Sequence, residues 1–277
     1  MIKWTTTGTL LAAAACLGLA GCESQGTGAP EGGFGGGEGM LSFTNTGEDC
    51  RNFLIIAPVT EANARKFVPA EFDLVQPPTA FVELADCAGG SVNGVDVGGY
   101  RIAEAAVFIT PPDGSSFPPV VVNSAIYLLW QLDSDPQLSA LKRDAGFAGE
   151  VVEDIQLVVG PDASNPLLTQ GFADIPYTLS PYQLQASLTP DSPPGPPLPN
   201  DLWHVGPNGP IHTFNDIYAT DQVLAGTGTI TVTDGSPLHE LFGSTSVTGV
   251  AASGIGSFVN TTQLRPDIQA TKPEGAP

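Results

Sequence analysis

The sequence predicts a mainly β domain, β-rich α+β with two or three short helices, at the end of a flexible tether. Three observations predict it. Glycine (33) and proline (26) are abundant among 277 residues, as in folds with many turns. Patterning at helical period is scarce, whereas short apolar runs bounded by turn residues recur from residue 41 onward. Residues 23–39 hold eight glycines together with Ser, Thr, Pro and Glu, a composition that makes a flexible coil rather than a packed element.

Residues 1–21 read as an export signal: Lys3 supplies the positive start, and residues 10–20 form an apolar run shorter than a bilayer span. Leu19-Ala20-Gly21-Cys22 then resembles the lipobox of bacterial lipoproteins. The resemblance implies lipidation of Cys22, cleavage before it, and a membrane anchor in the cell envelope. With Glu23 rather than aspartate next, it implies outer-membrane sorting in a Gram-negative cell. The expected organisation is signal 1–21, lipidated cysteine and tether 22–39, one β-rich domain 40–264, and a disordered tail 265–277.

The elements follow in order. Residues 52–57 suit a strand. Residues 60–67 suit a short helix with Thr60 as cap, Glu61 in the first turn and Arg65 and Lys66 in the last, stopped by Pro69. Residues 80–85 form a second strand, and 100–110 a long one ended by the turn Pro111-Pro112-Asp113-Gly114. Residues 120–132 are apolar throughout, as a buried strand is. Residues 135–143 suit a helix with Pro136 in its first turn and Leu138 and Leu141 on one face. Strands are expected at 150–159, 182–188, 212–219, 224–233 and 246–260, a helix at 236–242, and a surface loop at 189–199.

The chain carries 9 basic and 29 acidic residues, net −20, and loss of Lys3 with the signal makes the mature charge −21. Such a surface repels nucleic acid and anionic lipid and offers neither a basic patch. Cys16 leaves with the signal and Cys22 takes the lipid, so Cys50 and Cys87 remain. In an oxidising compartment two remaining cysteines are expected to form a disulfide; a metal or reactive-thiol role has no Cys-x-x-Cys spacing behind it.

The order of elements and several strings resemble the acetoacetate decarboxylase-like family over roughly residues 50–262. The strings are Arg65-Lys66-Phe67-Val68-Pro69, Gly98-Gly99-Tyr100 before a long strand, and Leu132-Asp133-Ser134-Asp135-Pro136 followed by a helix and Gly146-Phe147. The resemblance implies a strongly curved antiparallel sheet or partly open barrel around a small-molecule pocket. The family's Schiff-base chemistry needs two adjacent lysines, one a nucleophile and one a cation that depresses its pKa. Gly149 and Glu150 stand at those positions. Of the remaining lysines, Lys66 and Lys142 lie near helix ends and Lys272 in the tail, so none is expected to replace the pair.

Two further family positions transfer with a shift. Arg51 is one residue out of place, and Glu104 matches the glutamate after Gly-x-Tyr only with a two-residue insertion; Arg51 or Arg101 would then pair with it. The ligand-binding candidates are therefore Arg51, Tyr100, Glu104, Trp130 and Phe147. Tyr100, Trp130, Trp203, Phe108, Phe147 and Phe172 can each line a pocket or simply fill a core. Glu104 and His212 are the candidate general bases. His204 and His212 flank a Gly/Pro turn and are weak candidates for a metal, at a spacing no common motif uses. No hydrolase elbow and no phosphate-binding glycine loop occurs.

No cofactor is called for. The expected function is noncatalytic binding of a small apolar or carboxyl-bearing ligand. The alternatives are a hydratase, cyclase or lyase on the same scaffold, or a structural or assembly protein of the envelope.

Overall fold

Strand β1 (Ser42–Pro58) is paired along both edges and seeds the sheet. One edge joins β2 (Thr79–Cys87), with β3 (Gly89–Val92) and β4 (Val95–Val97) continuing beyond its N-terminal half. The computed structural model describes residues 42–110, 112, 125–144, 149–165, 167–192, 200–206, 208–219 and 223–274. From β2 the pairings pass antiparallel through β5 (Tyr100–Ile109) to β6 (Ala125–Asp133). β6 takes the short parallel strand β7 (Gly149–Val151) for part of its length.

β6 also pairs in parallel with β11 (Asn200–Gly206), which leads antiparallel through β12 (Gly209–Ala219) to β14 (Ser246–Leu264). β14 pairs with β1 again. It is also shared with β13 (Val223–Val232), from which β10 (Tyr182–Ser192), β9 (Thr169–Ile175) and β8 (Gln156–Pro161) extend as a flap. The sheet therefore curls round on itself without closing into a regular barrel.

Three short helices cover the sheet among the described residues. α1 (Glu61–Ala64) is capped by Thr60, whose hydroxyl accepts from the Asn63 N–H at 3.1 Å. α2 (Pro136–Asp144) starts after Asp135, whose carboxylate accepts from the Leu138 N–H at 2.7 Å. α3 (Pro237–Phe242) is capped by Ser236 and ends at Gly243, whose φ of 71° is left-handed and suits glycine.

Strand alternation sorts the apolar residues into two clusters. Phe53, Ile55, Val82, Leu84, Val107, Trp130 and Trp203 belong to the first, which lies against the flap through Leu184 and Ile230. The second draws on every strand from β1 round to β14, including Phe81, Ile102, Ile126, Leu202, Ile211 and Phe258. The lack of a side chain at Gly47 matters here, because a Cβ would run into the Phe258 ring.

The expected strand at 150–159 is two strands, β7 and β8, broken by a turn at 153–154. Strands β3, β4, β9 and β11 went unanticipated. The segment after Leu264, expected to be disordered, is described to residue 274. Ile268 and Ala270 pack on the first cluster, and Arg265 holds Asp267 at 2.7 Å. Residues 120–124, most of the expected loop at 189–199, and the signal and tether lie outside the described residues.

Cys50 and Cys87 form a disulfide across β1 and β2, closing a loop of sequence separation 37. Replacing both by alanine is expected to lower unfolding free energy by about 3–4 kcal/mol in urea titrations, the loop-entropy value for this length.

Candidate functional site

Alternation along β2 sends Phe81, Glu83 and Ala85 to the second cluster's face and Val82 and Leu84 to the first. On β5 the same rule puts Ile102 and Glu104 beside them. The register makes Glu83 and Glu104 direct cross-strand neighbours. Both carboxylates face a cavity of about 60 Å³. At roughly 10–15 Å³ per water, it admits a few waters or a small ligand group. Its apolar walls include Phe81, Ile102, Ile126, Leu202 and Phe258; Asn52, Asn215, Ser257 and Asn260 add polar ones.

A β-bulge in β6 completes the polar side. Ala105 opposes Trp130 and Ala106 opposes Leu128, so Leu129 is the extra residue. Leu129 and Trp130 both enter the first cluster, and the phase of the strand flips after them. Gln131 is thereby aligned with Glu104, to which its amide N–H donates. Without the bulge, alternation would turn Gln131 away from Glu104.

Lys142 on α2 lies one turn beyond the buried Leu138 and shares its inward face. Its ammonium donates to Gln131 Oε1 at 2.7 Å and to Asp133 Oδ1 at 2.6 Å. Lys142 is 1% exposed and Asp133 0%. Lys142, which the sequence placed only near a helix end, is thus a buried, ion-paired lysine. A polar chain results, running Glu83, Glu104, Gln131, Lys142, Asp133.

Desolvation dominates the electrostatics. Removal from water pushes Glu83 up to about 8, and the neighbouring Glu104 pushes it the same way. Both side chains are half-buried and line the cavity. Glu104 is also raised, first by desolvation and then by Asp133, against the hydrogen bond from Gln131 and the charge of Lys142, which favour its anion. Burial likewise raises Asp133, opposed by Lys142. Near neutral pH Glu83 is thus a protonated acid, and Glu104 is pushed the same way by burial while Gln131 and Lys142 pull against it.

The other expected residues are scattered. Arg51 is half-buried and does not line the cavity, because alternation turns it away from Asn52. Arg101 does not reach Glu104 either: it pairs with Asp86 at 3.2 Å and donates to the Ile155 carbonyl at 2.6 Å. Tyr100 sits near the disulfide and donates to the Thr46 carbonyl at 2.9 Å. Trp130 is in the first cluster, 5.7 Å from the Tyr177 ring, on the face opposite the cavity. Glu150 accepts from the Tyr177 hydroxyl at 3.1 Å. Phe147 and Cys22 lie outside the described residues.

The histidines do not form a site with one another. Trp203 opposes His212 and Ile211 opposes His204, so the two imidazoles point to opposite faces and cannot share an ion. His212 stacks on Trp203 at 4.4 Å and meets Asp201 at 2.9 Å, away from Glu104. His204 lies 3.4 Å from the Leu128 carbonyl, and burial holds it down to about 4. Among the described residues, no group of three or more His, Cys, Asp and Glu could hold a metal.

Glu83, Gln131, Asp133 and Lys142 escaped the sequence reading. Glu83 carried a signal as an acid in the middle of an apolar strand. Lys142 carried another, four residues from Leu138 on a helix whose inward face was already identified.

No protein-family model matches the chain, and no curated protein matches its sequence. Solved structures share its fold. The enduracididine biosynthesis enzyme MppR, complexed with pyruvate, aligns at TM-score 0.51 and 14% identity, covering 83% of this chain and 90% of that one. An acetoacetate decarboxylase from Legionella pneumophila aligns at TM-score 0.50 and 10% identity, covering 80% and 87%. The chain thus has an acetoacetate decarboxylase-like fold.

Two outcomes follow from the buried charges. Lys142→Met strands Asp133 and is expected to cost about 3–5 kcal/mol in urea unfolding, more at pH 8 than at pH 5; adding Asp133→Asn recovers part of it. Glu83 binds its proton more tightly folded than unfolded, so its contribution is full below about pH 4.5 and is lost as pH rises towards 8. The folding equilibrium is expected to fall by up to about tenfold per pH unit over that window for this one proton, and Glu83→Gln is expected to flatten the curve.

Proposed function

We propose that the chain is a lipid-anchored envelope protein whose domain binds a small molecule in the Glu83–Glu104 cavity and performs no Schiff-base chemistry. The observation carrying this reading is the cavity's lining. It offers two glutamate carboxyls and no amine among the described residues, while the fully buried Lys142 donates to Asp133 and Gln131. The ligand has a hydrogen-bonding head set against the glutamates and an apolar body against Phe81, Ile102, Ile126, Leu202 and Phe258.

A carboxyl-bearing ligand, one of the sequence expectations, is set aside: an anion would be desolvated beside two carboxylates. Pyruvate, held by the fold neighbour, is expected not to bind. The lipobox at Cys22, the glycine-rich tether and the charge of −21 suit a receptor or carrier that stays soluble close to a membrane.

A second reading rests on one specific observation. Glu83 and Glu104 face one cavity across neighbouring strands with both carboxyls raised by burial, and such paired carboxyls are the groups that general acid–base catalysis uses. On that reading the cavity turns its ligand over by proton transfer, and native protein would carry substrate and product together.

Native mass spectrometry of protein purified from its own host is expected to show one small molecule per chain, lost after denaturation. Borohydride with pyruvate or acetoacetate is expected to leave the mass unchanged. A reduced adduct on Lys142 would contradict the absence of Schiff-base chemistry, and ligand-free protein would contradict binding.

A further inference from the structure

Resting on the cavity as a binding site, we infer that its ligand is a small organic cation, a protonated amine whose ammonium sits against Glu83, Glu104 and Asn260. The wall is rich in acceptors and its nearby cation is already engaged. Asn260 is 8% exposed, lines the cavity, and its Oδ1 is buried without a hydrogen-bond partner. Asn215, its cross-strand neighbour on β12, lines the same cavity with a second unpartnered Oδ1. These amide oxygens stand independently of the glutamate pair and ask for the same thing, an N–H or O–H donor.

An ammonium brings three donors and a positive charge. A hydroxyl brings one donor and no charge, and a carboxylate brings only acceptors. Phe81 and Phe258 add aromatic surface, to which cations are attracted over the ring faces.

The charges facing the pair come from four elements. Glu83 on β2 meets Glu104 on β5; behind Glu104 stand Asp133 on β6 and Lys142 on α2. Lys142 and Asp133 neutralise each other at 2.6 Å, so the glutamates keep an uncompensated demand for positive charge. In the empty protein a proton on Glu83 meets that demand. An incoming ammonium replaces it, and the Glu83 proton leaves to solvent. Affinity therefore rises with pH between 6 and 8, where alkylammonium ions stay charged.

Isothermal titration of the purified protein with n-butylammonium, n-butanol and butyrate tests the assignment. Butylammonium is expected to bind at least tenfold tighter than butanol, and butyrate to give no heat. Repeating the titration at pH 7 in buffers of different ionisation enthalpy should show close to one proton released. Glu104→Gln is expected to weaken butylammonium about 10- to 100-fold, and Asn260→Ala about tenfold, the range for hydrogen bonds involving charged groups. Butanol or butyrate binding as well as butylammonium overturns the cation and leaves the binding site intact. Heat from none of the three overturns the site and the cation together.

Discussion

Two glutamates facing each other across neighbouring strands set the terms for this interior. Two carboxylates so placed and drawn out of water cannot both ionise cheaply, and the surroundings divide the roles. Glu83 has no cationic support and keeps its proton. Glu104 accepts from Gln131, and Gln131 is oriented by Lys142, which claims the carbonyl side of that amide and leaves the N–H side for Glu104. Asp133 in turn balances Lys142. Each member fixes the direction of the next, so the arrangement stands or falls as a unit.

The backbone makes this possible by one irregularity. The extra residue at Leu129 brings Gln131 into phase with Glu104, while Leu129 and Trp130 go together into the opposite cluster. Bulges bend strands and re-aim side chains, and this one carries the polar chain across the sheet. The disulfide of Cys50 and Cys87 pins the same β1–β2 pair near its end. The chain thus shares a fold with proteins that include decarboxylases, and its own cavity is lined by two glutamates.

Much of the fold was legible from residues alone, and the parts that were not have physical reasons. Alternation located β5, Thr60 marked the start of α1, and Pro136 with the shared face of Leu138 and Leu141 marked α2. β6 is buried on both faces, so its sequence carries no alternation in which a bulge could be seen. Glu104 was singled out through the string Gly98-Gly99-Tyr100, two residues out of step, and it lines the cavity beside Ile102. Glu83 needed the register of β2 against β5, a long-range fact. Sequence places Lys142 only near the end of its helix, and the contacts that bury it are with Asp133 and Gln131 across the fold. The histidines looked close across their turn, but register separates them by the thickness of the sheet.

The account depends on a glutamate carboxyl kept neutral by burial beside a second one, and a direct titration reports that. Carbon-13 NMR of the side-chain carboxyls in glutamate-labelled protein, with Glu83→Gln to assign the signal, measures each ionisation by site. One glutamate titrating near pH 8 and vanishing in the variant is the predicted result. Glutamates that all titrate below about pH 5.5 would contradict it.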